Sequence, residues 1–268
     1  LPLLAANIVT DARYLKSFQA KGGYGGWSDA IYSLGDFVRE NPEKKYVLME
    51  WGFTTQLILL THGRMRYEEF ICSEENPTTC MDRIIQHRNT GFVFHVPQFT
   101  GKPMLAAFKE TLARHNLHGR LLKTFFQRDG RPIYVVYEIA PPISDAAAGN
   151  SGFSYMREGE DFDRKSGGDL DGKEAASNKK ALGNFWGRRA EDFVAYKFTL
   201  PTDLADARLS IRYACEDKSP HEYFLLLDGN YFDTVTLPPT PGYGYTADQW
   251  KSVEVKLGSM TNGVHELK

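Results

Sequence analysis

Hydrophobic positions recur with two different periods along this chain of 268 residues. In the first half, segments with apolar residues three or four apart alternate with short and almost continuous apolar runs. The helical spacing is clear in Ile31, Leu34 and Val38, and the run KYVLMEWG, 45–52, is typical of a strand buried on both faces. Helices that alternate with buried strands predict a layered α/β domain in residues 1–143.

The same pattern predicts the bounds of individual elements. Ser28 is a suitable N-cap for a helix that Asn41 and the following proline should end. Gly119 should lie just past the end of a later helix. Further helices are expected over 81–89 and 104–118, a strand over 91–97, and a hairpin whose strands meet at Arg128–Arg131.

The apolar stretch Leu1–Val9 leaves two interpretations open, because it is either the tail of an upstream hydrophobic segment or a short buried strand. No run approaches the roughly 18 apolar residues that a membrane span needs. Since the chain opens without a start methionine or a signal peptide, we expect it to be a piece of a longer protein.

A change of pattern marks the second half. Residues 144–152 belong to a stretch rich in Pro, Ala, Gly and Ser without periodicity, so they are predicted to be a linker. From residue 153 onward the hydrophobic period is two, and Asp228–Gly229 predicts a hairpin turn. Short alternating strands separated by Gly and Pro turns predict an all-β antiparallel sandwich over 153–268.

The charges of the chain are balanced, with 32 Lys and Arg against 34 Asp and Glu. Such a chain has no overall positive field to attract nucleic acid or an anionic membrane surface. We therefore expect no nucleic-acid partner, and other partners have to be inferred from local sites.

The three cysteines are too few for a disulfide scaffold. Cys72 and Cys80 flank a short polar loop, and either one bridge, which would suit an oxidising compartment, or two free thiols fit this spacing. Cys215 shares the parity of Leu209, Ile211 and Tyr213, so we expect it on the inward face of a strand and chemically quiet.

Two motifs resemble ligand-binding sites, but neither has all the features that such a site requires. The glycine-rich stretch 21–38 lacks the glycine spacing, the preceding strand and the Lys-Ser/Thr pair of phosphate-binding loops, so it is interpreted as a loop before a helix. His115 and His118 have a spacing that a metal could use, but histidines at a helix end more often complement the helix dipole.

Acidic residues near the start of the second half form a better candidate. If REGEDFD, 157–163, is a strand, Glu158 and Glu160 project from one face, and convergent carboxylates are what Ca²⁺ requires. The alternative is a solvated edge strand. An acid/base role for Glu158, Glu160 or Asp163 is a third interpretation, which would need a cleft lined by paired carboxylates.

Aromatic residues of the second half form the other candidate. Tyr243 and Tyr245 lie in a Gly/Pro loop between strands, and Trp186 lies in another glycine-flanked stretch. Flat aromatic faces beside polar groups suit sugar rings, whose C–H faces stack while the polar groups bond the hydroxyls. Trp250, directly before a strand, is expected in the core.

The second half resembles the β-sandwich carbohydrate-binding modules of families 6 and 35. REGEDF (157–162), DFVAYKFTLP (192–201), LSIRYA (209–214), LLLDG (225–229) and the final twenty residues, 249–268, resemble successive strands of those modules. The resemblance implies a jelly-roll, galactose-binding-like fold, bound carbohydrate, and a structural Ca²⁺ held with the help of Glu158 and Glu160. The chain stops where the family usually supplies a further acidic ligand, and the loop EDKSPHEYF, 216–224, departs from the family's usual loop.

The first half resembles the soluble extracytoplasmic domain of bacterial membrane glycosyltransferases related to dolichyl-phosphate-mannose protein mannosyltransferases. WSDAIYSLGDFV (27–38), VLMEWGFTTQLILLTHG (47–63) and GRPIYVVYEI (130–139) carry this resemblance. In such enzymes the catalytic acids lie among membrane helices, which would precede Leu1. The resemblance therefore implies a non-catalytic piece, periplasmic or at the cell surface and tethered to the membrane in the full-length protein.

Together these observations predict a non-catalytic extracytoplasmic region of a membrane glycosyltransferase whose second domain binds or positions carbohydrate. Two alternatives remain open besides the soluble enzyme with acid/base carboxylates. One is a sandwich that only supports its neighbouring domain, and the other is a freestanding secreted sugar-binding protein.

Overall fold

A computed structural model of the chain describes residues 2–24, 27–72, 77–87, 89–99, 103–140 and 153–268. The chain divides into two compact units, Leu1–Ile143 and Ser144–Lys268. The expected linker, 144–152, lies outside the described residues.

The first unit combines helices with short strands. Its helices are α1 (Pro2–Lys21), α2 (Ala30–Glu40), α3 (Thr54–Leu60), α4 (Thr78–Met81) and α5 (Met104–Arg114). Its strands are β1 (Gly23–Tyr24), β2 (Trp27–Ser28), β3 (Lys45–Leu48), β4 (Arg66–Glu69), β5 (Thr90–His95), β6 (His118–Phe126) and β7 (Pro132–Ala140).

Five of these strands form one sheet in the order β4-β3-β5-β7-β6. β3 pairs in parallel with both β4 and β5, whereas β7 is antiparallel to β5 and to β6. The predicted hairpin of β6 and β7 is confirmed, and Gly130 has the positive φ, 88°, that its turn requires.

Helices pack on both faces of this sheet because successive side chains of a strand point to opposite sides. Val93 of β5 lies in one buried cluster with Leu34 of α2 and Leu57 of α3. Its neighbour Phe92 faces the other way, and its ring centroid lies 4.9 Å from that of Phe108 on α5. The sheet is therefore buried between α2 and α3 on one side and α5 on the other.

The end of α2 agrees with the sequence prediction, but its N-cap is Asp29 rather than Ser28. The Ser28 hydroxyl accepts a hydrogen bond from the Ala30 backbone N–H (3.2 Å). The helix ends at Glu40, and the Asn41 N–H bonds to the Val38 carbonyl (3.3 Å) directly before the proline. The glycine-rich stretch before α2 contains the hairpin of β1 and β2.

Three other expectations for the first unit were wrong. Of the two interpretations of the first apolar stretch, the strand is wrong, because α1 runs from Pro2 to Lys21. Gly119 is not the residue that ends α5, since Asn116 takes the left-handed φ of 52° there and Gly119 already belongs to β6. The helix expected over 81–89 is wrong in its described part, because the chain up to His87 forms successive i→i+3 turns after α4.

Cys72 and Cys80 form a disulfide with Cα atoms 5.8 Å apart. Of the two alternatives that the sequence left open, the structure has the bridge. Among the helices described, none is both long enough and apolar enough to cross a lipid bilayer.

The second unit consists of antiparallel strands. They are β8 (Arg164–Ser166), β9 (Asp169–Gly172), β10 (Lys180–Gly183), β11 (Phe193–Leu200), β12 (Leu204–Tyr213), β13 (His221–Leu227), β14 (Asn230–Leu237), β15 (Lys251–Met260) and β16 (Gly263–Leu267). One sheet has the order β14-β13-β16-β11-β8, β12 pairs with β15, and β9 with β10 forms a hairpin.

The two larger groups of strands pack face to face. Leu225 of β13 and Val235 of β14 share a buried cluster with Val255 of β15, against which Ile211 of β12 packs. The predicted antiparallel β-sandwich is confirmed. The hairpin turn at Asp228–Gly229 is confirmed as well, because both residues have positive φ, 52° and 76°, as a type I′ turn requires.

Candidate functional site

Tyr243 and Tyr245 lie on the loop between β14 and β15, and both are exposed, by 49% and 63%. Gly244 between them has a φ of 83° and packs directly on the indole of Trp250, where a Cβ would come within 2.7 Å of the ring. The indole N–H of Trp250 donates to the Gly244 carbonyl (3.1 Å). The glycine thus lets the loop lie flat on the indole while both tyrosines remain exposed.

Two further interactions hold this loop. The side-chain oxygen of Gln249 accepts a hydrogen bond from the Tyr245 N–H (2.8 Å). Thr240 bonds twice to Cys215, since its N–H donates to the Cys215 carbonyl (2.7 Å) and its hydroxyl accepts from the Cys215 N–H (2.8 Å). The tyrosine loop is therefore fastened at both ends and adjoins the segment after β12.

A charged pair borders the ring of Tyr245. The Lys173 ammonium lies 3.7 Å from the ring centroid and 3.0 Å from the Asp171 carboxylate. Burial alone would lower the pKa of Lys173, but its hydrogen bonds to Asp171 and Tyr245, with the charge of Asp171, raise it above the ordinary value. Lys173 is therefore a cation at neutral pH that covers one face of the tyrosine.

Trp186 lies on the loop between β10 and β11 and is only half-buried. Its ring stacks on Tyr223 of β13, with centroids 5.3 Å apart and planes 14° from parallel. Its indole N–H is buried and has no hydrogen-bond partner within the described residues. One face of this ring is thus occupied by the protein, so Trp186 offers less open surface than the two tyrosines.

The more exposed ring of this stretch is Phe185, which sequence reasoning missed. It is 70% exposed, and the Arg188 guanidinium lies 4.3 Å from its centroid. It borders a depression of about 470 Å³ that is also lined by Asp169, Asn184, Arg188, Arg189 and Asp192. A signal was present in the sequence, since two aromatic residues and two arginines lie close together in NFWGRR, 184–189.

The expected strand around Glu158 and Glu160 is wrong, because these residues lie in a turn closed by the Asp161 N–H on the Glu158 carbonyl (2.9 Å). β8 begins only at Arg164. The two carboxylates nevertheless face one loop. Glu158 accepts from the Ser177 hydroxyl (2.5 Å), and Glu160 accepts from the Asn178 amide (2.9 Å). The two carboxylates, which are oxygen ligands of the kind that Ca²⁺ prefers, are thus both held against the loop between β9 and β10.

Asp163 is engaged in a different interaction. Its carboxylate accepts from the Lys197 backbone N–H (2.6 Å) and from Arg157 (2.8 Å). The Lys197 N–H, followed by the ion pair with Arg157, lowers the pKa of Asp163 below its usual range. This carboxylate holds Arg157 and β11 in place, and within the described residues it lines neither the depression beside Phe185 nor the larger cavity of the first unit.

A cluster of three possible metal ligands lies between β12 and β13. The expectation that Cys215 faces inward on a strand was wrong, because β12 ends at Tyr213 and Cys215 is half-buried beyond it. Its sulfur lies 3.5 Å from an Asp217 oxygen, which is 2.7 Å from Nε2 of His221. Burial, the largest effect, and the adjacent Asp217 raise the pKa of the thiol. The spacing C-x-D-x₃-H was the signal in the sequence.

Trp250 is half-buried between the Gly244 loop and Arg212, whose guanidinium lies 4.8 Å from its ring. It therefore supports the exposed loop. The expectation from the sequence that Trp250 lies in the core of the sandwich was wrong.

No protein-family model matches this chain, and no curated protein matches it.

Among solved structures, the chain is similar to a family 35 carbohydrate-binding module from Clostridium thermocellum, with 13% identity and a TM-score of 0.36 over 41% of this chain and 82% of that one. A family 35 module of Abf62 from Cellvibrio japonicus matches with 18% identity and a TM-score of 0.32 over 40% and 71%. Xyl-CBM35, solved in complex with a disaccharide containing glucuronic acid, matches with 18% identity and a TM-score of 0.32 over 43% and 77%. These three neighbours are carbohydrate-binding modules, and the likeness extends over about two-fifths of the present chain.

Proposed function

We propose that the second unit binds carbohydrate through Tyr243 and Tyr245. The observation that carries this proposal is the pair of exposed rings on a loop whose backbone is fixed by Gly244 on Trp250. Exposed aromatic rings on a preorganised loop lose little freedom on binding and offer flat faces to the C–H side of a sugar.

Polar groups beside the rings supply the hydrogen bonds that a sugar requires. Lys173 and Asp171 border Tyr245, so a donor and an acceptor lie next to the stacking face. Trp186 is the third residue of the proposed site, where the face of its ring that Tyr223 does not cover would stack on a sugar.

A structural Ca²⁺ at Glu158 and Glu160 is part of the proposal. Its support is the convergence of both carboxylates on Ser177 and Asn178. A hard cation between these oxygens would tie the segment before β8 to the loop between β9 and β10.

For the full-length protein we propose a membrane glycosyltransferase, of which this chain is a non-catalytic extracytoplasmic region. The support is the resemblance of 27–38, 47–63 and 130–139 to that class. The bridge between Cys72 and Cys80 agrees with a periplasmic or cell-surface location, because disulfides persist in oxidising compartments.

Two other functions remain as alternatives. A purely supporting sandwich needs no exposed rings, so the exposure of Tyr243 and Tyr245 favours binding over that role. A freestanding secreted sugar-binding protein would share the same site, and only the polypeptide upstream of Leu1 distinguishes it from the membrane enzyme.

The proposal is tested by probing the full chain on an array of oligosaccharides and measuring the affinity of each hit by calorimetry. We expect Tyr243→Ala/Tyr245→Ala to weaken binding at least tenfold, because burying one large apolar side chain contributes about 1.5–3 kcal/mol. Tyr32→Ala, which removes an equally exposed ring from α2 (62%), serves as the matched control. Absence of binding to any glycan, or equal binding by the double variant, would contradict the proposal.

A further inference from the structure

A cavity of about 730 Å³ opens at the edge of the first unit's sheet where the parallel strands end. This volume lies in the range of small-molecule sites. Its lining comes from β2, from the segments after β3 and β4, and from the first residues of α3 and α5. The lining includes Trp27, Glu50, Trp51, Thr54, Glu69 and Met104.

The order of the strands explains why a crevice forms here. β3 and β5 are parallel neighbours, but the helices that follow them lie on opposite faces, since Leu57 of α3 packs with Val93 whereas Phe108 of α5 packs on Phe92. Where the helices diverge in this way, the carboxyl ends of the two strands leave an open crevice, which is the usual ligand position of such sheets.

Two indole rings stand exposed at this crevice. Trp51 is 84% exposed and Trp27 is 60% exposed. Their centroids are 5.9 Å apart and their planes are 84° from parallel, so they form two perpendicular apolar walls. Such exposure adds nothing to the stability of the fold, whereas a ligand with an apolar face would bury both surfaces.

A buried carboxylate lies beside these rings. The Glu50 side chain is only 8% exposed, and its Oε2 accepts hydrogen bonds from the His95 backbone N–H (2.6 Å) and lies 3.0 Å from Nδ1 of the same histidine. Its Oε1 is buried and has no partner in the described part of the chain. Leaving a buried acceptor of this kind unpaired costs about 1–3 kcal/mol of stability, so a ligand that donates a hydrogen bond to it would be favoured.

The charges of the lining residues determine which hydrogen-bond-donating ligands the crevice can bind. Glu50 and Glu69 contribute carboxylates, Glu69 accepts from the Thr54 hydroxyl, and among the residues that the structure describes the lining includes neither Lys nor Arg. An anionic ligand such as a uronate or a phosphate would be repelled. The ligand that remains has several donors, no negative charge and one apolar ring face.

We propose that this crevice is a second carbohydrate site, which binds an uncharged saccharide by stacking on Trp51 and Trp27 and by a hydroxyl that donates to Glu50. The site lies within the first unit and shares no residue with the tyrosine loop. Failure of the proposed function at the tyrosine loop would therefore leave this inference unaffected.

The test starts from Tyr243→Ala/Tyr245→Ala in the full chain, so that binding at the tyrosine loop cannot be mistaken for binding here. Neutral oligosaccharides are screened on an array, and the best hit is titrated by calorimetry beside glucuronate and choline. We expect the neutral glycan to bind and Trp51→Ala to weaken it at least tenfold. Because Trp51 is almost fully exposed, this variant should fold normally, which far-ultraviolet circular dichroism checks.

Two further variants sharpen the result. Glu50→Gln places an amide donor where an acceptor is needed, so binding should again fall at least tenfold, while Tyr32→Ala should leave it unchanged. The proposal is overturned if no neutral glycan binds, if Trp51→Ala binds normally, or if glucuronate binds equally well. Tighter binding of choline than of any glycan would also overturn it, because perpendicular indoles and carboxylates would then form a cation site.

Discussion

Gly244 lies directly on the ring of Trp250, with its carbonyl 3.1 Å from the indole nitrogen. A Cβ at this position would come within 2.7 Å of the ring, and the φ of 83° is one that other residues rarely adopt. The conformation of the tyrosine loop therefore depends on the absence of a side chain at this residue.

We expect Gly244→Ala to displace the loop and to lower both stability, by about 1–3 kcal/mol, and glycan affinity. Gly229→Ala is the matched control, because Gly229 also has a positive φ, 76°, but a Cβ there would meet nothing within 4 Å. Denaturant unfolding and calorimetric titration measure the two effects. Equal losses in both variants would mean that the contact with Trp250 is unimportant.

Stability of the second unit should depend on pH through His265. Its Nδ1 lies 2.7 Å from Asp228, and its Nε2 lies 2.9 Å from the Thr261 carbonyl. Burial lowers the pKa of His265, but the hydrogen bonds to Asp228 and Thr261 and the charge of Asp228 outweigh it and raise the pKa above its usual value.

A pKa that is raised in the folded state stabilises the fold when the histidine is protonated. This contribution is complete below the unfolded pKa of about 6.5 and is lost as the pH rises through the higher folded value. The free energy of unfolding should therefore fall across that window. Urea titrations at several pH values measure it, and His265→Gln should remove this part of the pH dependence. A profile that His265→Gln leaves unchanged would refute the assignment.

The disulfide should stabilise the first unit. The bridge joins cysteines at a sequence separation of 8, for which loop-closure entropy gives about 2.5 kcal/mol. We expect Cys72→Ser/Cys80→Ser to lower the unfolding free energy of this unit by roughly that amount, and Cys215→Ser to leave it unchanged. Hydrogen exchange of amides in each unit separates the two contributions, and an unaltered first unit would contradict the prediction.

Calcium should stabilise the second unit if the carboxylates of Glu158 and Glu160 bind it. At a hundredfold excess over the dissociation constant a ligand adds about 2.7 kcal/mol, so the thermal midpoint should rise with Ca²⁺ and fall with a chelator. Glu158→Gln/Glu160→Gln should abolish the difference. Glu174→Gln on the neighbouring loop, whose side chain is 83% exposed, is the control. An identical midpoint with and without chelator would argue against the ion.

Patterns in the sequence predicted those elements that depend on interactions between residues close together in the chain. Hydrophobic alternation and the Asp228–Gly229 turn predicted the strands of the sandwich, and Asn41 predicted the end of α2. Helix ends at which two nearby residues can adopt the left-handed conformation were missed. Asn116, rather than Gly119, adopts it at the end of α5.

The candidate sites were predictable only in part, because they depend on contacts between distant segments. The exposure of Tyr243 and Tyr245 followed from their Gly/Pro loop. The stacking of Trp186 on Tyr223 and the bond between Glu50 and His95 join residues far apart in the chain, which no local period reveals. The turn at Glu158 was mistaken for a strand because acidic residues two apart fit both structures.

Glu50 also connects two strands, because it lies just after β3 and its partner His95 is the last residue of β5. One oxygen of this carboxylate joins the two neighbouring strands, and the same residue lines the crevice. A molecule that donates to the second oxygen would therefore strengthen the same junction from outside. Occupancy should be visible as slower amide exchange at the ends of both strands, even for a ligand too weak to isolate.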